Sequence, residues 1–192
     1  RSWQCVEEGI TEISEESELK ASARLLENEF LRVELDEEGA ISSIYDKEPP
    51  RALTDGVCND FRMYKDVPTK FDAWDIDSMY ALTPVELGGD VSMELVVEGP
   101  LLAKIRIERE LHNSTMTQEI SLRSGSRRVD FRTRIDWRER HKLLKVAFPV
   151  GIHANEALCE IQFGHIRRPT HKSRQFDADR FEVTNHKWTA LR

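Results

Sequence analysis

Two stretches of this chain bring chemistry-bearing side chains close together. The first is Val67-Pro68-Thr69-Lys70-Phe71-Asp72-Ala73-Trp74-Asp75-Ile76-Asp77-Ser78-Met79-Tyr80, which sets three carboxylates among three aromatic rings. Aromatic faces stack on the C–H groups of a sugar while carboxylates accept its hydroxyl protons, so the mixture suits a carbohydrate. If the chain is extended here, Asp75 and Asp77 share one side, roughly 6.6 Å apart at Cα. Carboxyl pairs at such a spacing can run glycoside hydrolysis. The same residues also fit a plain structural role, with Trp74 plugging the core and the aspartates capping turns. A catalytic pair, a ligand-contacting loop and structure alone all stay open for this segment.

The second stretch is Phe163-Gly164-His165-Ile166-Arg167-Arg168-Pro169-Thr170-His171-Lys172-Ser173-Arg174. It concentrates cations in a chain whose formal net charge is −7. Gly164 and Pro169 argue against a regular central strand through it. The segment could clamp an anionic or hydroxyl-rich ligand, dock on an acidic neighbouring domain, or stand as a solvated loop of mixed charge.

Other chemistry is poorly provided for. The six histidines are scattered, with no His-x-His or His-x-x-x-His spacing, and His165 with His171 is the one close pair. Asp72, Asp75 and Asp77 have no histidine within local reach. Cys5, Cys58 and Cys159 are widely spaced and odd in number, without a Cys-x-x-Cys pair, so the sequence predicts no zinc site and no disulfide framework. That cysteine usage suits a reducing, cytoplasmic setting. Glycine is too dispersed for a phosphate-cradling loop, and no Gly-x-Ser-x-Gly elbow is present. A self-sufficient active site is hard to build from these residues.

The elements that must position them are strands. In Arg128–Trp137 the odd positions are mostly apolar and the even ones all charged, the pattern of a strand with one wet and one buried face. The same alternation runs through Leu31, Val33 and Leu35, through Leu101, Ala103, Ile105 and Ile107, and through Met116, Ile120 and Leu122. Turn residues separate the runs: Glu38-Gly39, Gly88-Gly89-Asp90, Glu98-Gly99-Pro100, His112-Asn113-Ser114 and Ser124-Gly125-Ser126. Two further runs, Leu143 to Val150 and Ala157 to Phe163, bring the total to about ten, the number and spacing of an antiparallel sandwich or barrel. Predicted core positions are Val33, Leu35, Ile105, Ile107, Phe131, Ile135 and Trp137. Ser14 to Leu26 reads equally as a short helix or a leading strand.

Length and composition agree with a folded domain. The chain has 192 residues, 39% of them hydrophobic and 33% charged, which excludes a disordered class and allows one sizeable core. The acidic balance argues against a general nucleic-acid surface. No stretch approaches the roughly 20 apolar residues of a membrane span.

Several strings resemble a known family. Leu26-Glu27-Asn28-Glu29-Phe30-Leu31-Arg32-Val33-Glu34-Leu35 with Gly39-Ala40-Ile41-Ser42-Ser43-Ile44-Tyr45-Asp46-Lys47 is similar to the opening hairpin of the C-terminal β domain of glycoside hydrolase family 38 α-mannosidases. The likeness continues through Lys70–Asp77, Val129–Phe131, Asp136-Trp137 and Lys142–Pro149. It is most specific in Ile161-Gln162-Phe163-Gly164-His165-Ile166-Arg167-Arg168-Pro169-Thr170-His171, which resembles the cytosolic and bacterial branch.

The resemblance implies an all-β fold, a large antiparallel super-sandwich of two stacked sheets like that of galactose mutarotase. Residues 1–25 are then a lead-in and 26–192 the sandwich, cut short at its C-terminus. It also implies a parent retaining exo-α-mannosidase acting on terminal α-linked mannose of oligosaccharides. The aspartate nucleophile and zinc of that enzyme would sit in an N-terminal catalytic domain of the same polypeptide, so no residue here inherits a catalytic or metal-ligand role. Trp74, Asp75, Asp77 and Tyr80, with His165, Arg167 and Arg168, are carried over as contacts at the rim of the pocket. The chain alone is expected to be inactive and to self-associate through an exposed sheet edge. A stand-alone carbohydrate-binding or interaction sandwich is the alternative.

Overall fold

A computed structural model describes residues 19–72 and 74–191. The described residues form fifteen strands, with one 3-10 turn (Tyr80–Leu82) and one five-residue helix, α1 (Gln175–Asp179). In chain order the strands are β1 (Lys20–Ser22), β2 (Leu25–Glu27), β3 (Leu31–Leu35), β4 (Ile41–Lys47), β5 (Pro50–Ala52), β6 (Asp60–Lys65), β7 (Pro84–Val85) and β8 (Val91–Glu98). They continue as β9 (Leu102–Leu111), β10 (Ser114–Arg123), β11 (Val129–Asp136), β12 (Lys142–Ala147), β13 (Glu156–Ile161), β14 (Gly164–Pro169) and β15 (Thr189–Leu191). They assemble into four antiparallel sheets ordered β1-β2-β3-β4-β5, β11-β10-β9-β8, β12-β6-β7 and β14-β13-β15.

The first two sheets make the sandwich. Period-two alternation puts Leu31, Val33 and Leu35 on one face of β3, all buried. The β9–β10 register sets Ile105 against Ile120 and Ala103 against Leu122 on the opposing sheet. These side chains, with Leu26, Ile41 and Ile107, form the main core. Each isoleucine buried here is worth about 1.5–3 kcal/mol relative to exposure. The Glu38-Gly39 turn fits closely over this core. Gly39 has φ +71, and a Cβ there would lie 2.9 Å from Ile107 Cγ2. Asp36 holds the turn by accepting from the amides of Glu38 and Ala40, each at 2.9 Å.

Asn28 ties the two sheets together from inside. Its Nδ2 donates to the carbonyls of Arg123 (2.8 Å) and Ser126 (2.7 Å), and its Oδ1 accepts from the amides of Phe30 and Leu31. All of its hydrogen-bonding capacity is used, which is what a fully buried amide requires. A smaller cluster of Met63, Leu111 and Met116 joins the third sheet to the second.

Three expectations change. Residues 20–27 form a β hairpin rather than a helix, so the first sheet straddles the boundary expected near residue 25; Ser14 to Glu18 lie outside the described residues. The sheets number four, and the third and fourth extend beyond the two-layered core. Finally, Phe131, Ile135 and Trp137 are not core residues, being 37%, 40% and 39% exposed. They occupy the core-side face of their sheet, since Phe131 pairs with buried Ile120 and Ile135 with buried Met116. The first sheet, however, packs over β8, β9 and β10 and reaches β11 at its first residue, Val129, without covering Phe131 or Ile135. What covers Phe131 is one edge-on ring, Phe148, at 5.5 Å.

Candidate functional site

The first half of the cation-rich segment is a regular strand, β14 (Gly164–Pro169), where an irregular path was expected, and the rest, 170–174, lies outside any strand. Gly164 and Pro169 sit at the two ends of β14, and it is an edge strand of its sheet, the position where proline is tolerated. Regularity has a consequence for the candidate residues, because successive side chains point to opposite faces. His165 and Arg167 share a face with their partners across the ladder, Glu160 and Leu158, while Arg168 lies on the other beside Ala157. Arg167 Nη1 is 3.3 Å from Glu156, and the His165 ring lies 6.0 Å from that of Trp188. Arg168 turns to the C-terminal segment, donating from Nη2 to the Thr184 carbonyl at 3.3 Å. The three cations that look contiguous in sequence therefore divide between two surfaces.

Trp74 is 91% exposed, so it does not plug the core. The turn that displays it is built on Phe71, in left-handed conformation at φ 57, whose carbonyl accepts from the amides of Trp74 and Asp75. The aspartates act locally. Asp75 Oδ1 accepts from the Ile76 amide at 3.0 Å, and Asp77 Oδ1 accepts from the Met79 amide at 2.8 Å. No hydrogen bond or ion pair among the described residues joins either carboxylate to the other or to the second segment. Asp72 meets a histidine from far along the chain: His141 Nδ1 lies 3.5 Å from it, brought across by the loop before β12. Neither local spacing nor periodicity signals that approach.

Tyr80 is a brace rather than a free contact. Its hydroxyl donates to Glu182 Oε1 at 2.8 Å and accepts from Lys145 Nζ at 2.7 Å, while Lys145 also donates to Glu182. The ammonium sits 4.7 Å from the Tyr80 ring centroid, and Tyr64 packs edge-on against that ring at 5.0 Å. Partial burial works against the Lys145 charge, yet the bonds to Glu182 and Tyr80 outweigh it and raise its pKa. Burial likewise resists the Glu182 charge, and the same two partners reverse it, leaving that carboxyl below its usual range. Lys145 and Glu182 escaped the sequence reading. Lys145 looks like an ordinary polar position on a strand, and Glu182 belongs to no motif. Through this triad and the Tyr80–Phe181 ring contact (6.3 Å), the aromatic-rich loop is fastened to the C-terminal segment.

Two hollows flank β14. A broad open cleft of about 790 Å³ is lined by Asn155, Glu156, Leu158, Arg167, Pro169 and His171. On the other side lies a smaller cavity of about 200 Å³, walled by Arg168, His171, Lys172, Arg180 and Phe181. Among the described residues no three His, Cys, Asp or Glu side chains converge as a metal site demands.

The arrangement is a sandwich with displayed loops. Comparison with known proteins gives it a place. A sequence profile of the glycosyl hydrolases family 38 C-terminal domain matches residues 26–192. The chain belongs to this family. Its relatives include alpha-mannosidase 2C1 of Homo sapiens, 39% identical over 171 residues, which cover 86% of this chain and 16% of the relative. Alpha-mannosidase G of Dictyostelium discoideum is 34% identical over 175 residues, covering 87% of this chain and again 16% of the relative. The family 38 C-terminal domain described here thus spans about a sixth of the length of the curated relatives it matches. The fold also matches part of the crystal structure of an alpha-mannosidase from Enterococcus faecalis V583, with a TM-score of 0.61 at 14% identity over 81% of this chain and 20% of that one.

Proposed function

We propose that this domain is the non-catalytic sandwich of a retaining exo-α-mannosidase that removes terminal α-linked mannose from oligosaccharides. In this reading it packs on an N-terminal catalytic domain of the same polypeptide, which supplies the aspartate nucleophile and the zinc ion. The observation that carries the proposal is the outward display of Trp74, 91% exposed, on a loop of a family 38 C-terminal domain. A tryptophan that shields no core is free to stack on a sugar ring at the edge of a pocket. The Tyr80–Lys145–Glu182 triad supports the same role by holding that loop in one position without touching substrate. His165 and Arg167, on one face of β14, and Arg168 on the other, remain rim candidates, with Arg167 open to the larger cleft. Asp75 and Asp77 contribute by shaping the loop.

A cytoplasmic location belongs to the same proposal, supported by Cys58 and Cys159, both buried free thiols. So does association through a sheet edge, for which the outer edge of β11, unpaired among the described residues, is the natural surface. The test uses the full-length protein that carries this chain. Trp74→Ala should lower kcat/KM for a mannose-terminated oligosaccharide about tenfold, equivalent to ~1.4 kcal/mol, with thermal stability unchanged. An unaltered kcat/KM would remove Trp74 from the rim.

A further inference from the structure

The smaller cavity beside β14 has a composition that neither the sandwich nor a mannose-binding rim explains. Arg168, Lys172 and Arg180 bring three permanent cations to about 200 Å³ of space, with His171 as a fourth basic side chain. Asp177 is the one carboxylate on the wall, and it is already engaged, accepting from the Arg174 amide at 3.2 Å and lying 4.0 Å from His171 Nδ1. The local excess of positive charge stands in a chain of net charge −7. Glu182 lies close enough to Lys172 to feel its charge, so with Asp177 it offsets part of this excess, and the balance around the hollow stays positive.

A second observation points the same way. Arg168 spends Nη2 on the Thr184 carbonyl, but its Nε is buried without an acceptor. The rest of that guanidinium lines the cavity and, beyond the Thr184 carbonyl, has no acceptor among the described residues, so it can offer charge-assisted N–H bonds to an oxyanion. Arg180 is pre-positioned as well, its guanidinium carbon 3.8 Å from the centroid of the Phe176 ring. Stacking of this kind restrains the side chain while leaving its N–H groups free to donate.

We propose that this cavity is a binding site for a small oxyanion, the phosphate or carboxylate group of a small molecule, held by Arg168, Lys172 and Arg180. The site shares Arg168 with the rim candidates but lies on the face of β14 opposite His165 and Arg167, and Lys172 and Arg180 belong to it alone, so it adds a ligand to the mannoside reading. Its proximity to Phe181, which touches Tyr80, places the anion next to the brace of the aromatic-rich loop.

Calorimetric titration of the full-length protein with inorganic phosphate, at ionic strength held constant with chloride, tests the site directly. Saturable binding is expected, weakened tenfold or more in the double variant Lys172→Gln, Arg180→Gln, whose melting temperature without phosphate should equal that of the parent. Competition by acetate would show that carboxylates share the site. Failure of acetate to compete would restrict the site to phosphate, and the oxyanion assignment holds in either case. No saturable heat, as when an acidic side chain of the same polypeptide already fills the cavity, overturns the proposal. Equal binding by the double variant overturns it too. Because the readout is binding, its failure is distinguishable from failure of the Trp74 test, which reads hydrolysis.

Discussion

Two isoleucines show how differently this domain treats its two ends. Ile120 and Ile135 lie on neighbouring strands, on the same face of one sheet, and obey the same alternation. Ile120 is fully buried beneath the first sheet, whereas Ile135 is 40% exposed beyond its border. Around Ile120, polar groups are as fully settled as apolar ones, with Asn28 making four side-chain hydrogen bonds, two of them across the layers. Around Ile135, Phe131, Leu144, Val146 and Phe148 line an apolar groove, and farther along lie Trp74, the split cations of β14 and the oxyanion cavity. The first region stabilises itself. The second presents side chains to whatever binds there, and the difference separates what folds the domain from what the domain displays.

The sharpest way to break this comparison is to truncate both isoleucines. Ile120→Ala should cost about 2–5 kcal/mol by leaving a cavity in a packed core, while Ile135→Ala should cost under about 1 kcal/mol. Urea unfolding of each variant measures the pair; equal losses would mean that β11 is covered in solution. Next in size is Asn28→Ala, which strands two buried carbonyls and two amides at once. A loss of about 2–3 kcal/mol is expected from the same unfolding curves. A loss within about 0.5 kcal/mol would show that water replaces the clasp.

The smallest effect concerns the junction of the two regions. Glu139 accepts from the Asn113 amide (2.7 Å) and the Ser114 hydroxyl (3.0 Å), and pairs with Lys142 at 2.5 Å. The bond to Lys142, opposed by burial and helped by those two donors, holds its pKa down to about 2 from an ordinary 4.5. A carboxyl depressed on folding adds stability that is fully present above the unfolded value. That stability is lost as pH falls from about 4.5 through about 2. The difference in unfolding midpoint between the parent and Glu139→Gln should therefore be constant near neutrality and shrink through this acid window. A difference that persists unchanged at the bottom of the window would remove the ionised carboxylate from the explanation.

Much of the fold was legible because strands announce themselves locally. The alternation in Leu31–Leu35, Leu102–Leu111 and Ser114–Arg123 and the turn at Glu38-Gly39 were all read correctly, as was the family, from strings such as Gln162–His171. The candidate site was less legible. Trp74 stands outside the core, Asp75 and Asp77 cap their own turns, and Tyr80 is tied to Lys145 and Glu182, neither of which any motif marked. Partners more than sixty residues apart leave no trace in local spacing.

The sequence by itself determined which side chains share a face, since that follows from backbone geometry within a single strand. It determined that Ile120, Phe131 and Ile135 would all look inward. Only the tertiary structure decided which of them met another sheet, because cover depends on where a second layer ends, and that border is set by packing between segments far apart in the chain. Arg167 and Arg168 add a second case, because pairing with β13 is what makes their segment a strand. Their order in the sequence makes them neighbours, and the pleat of β14 sends them to opposite sides.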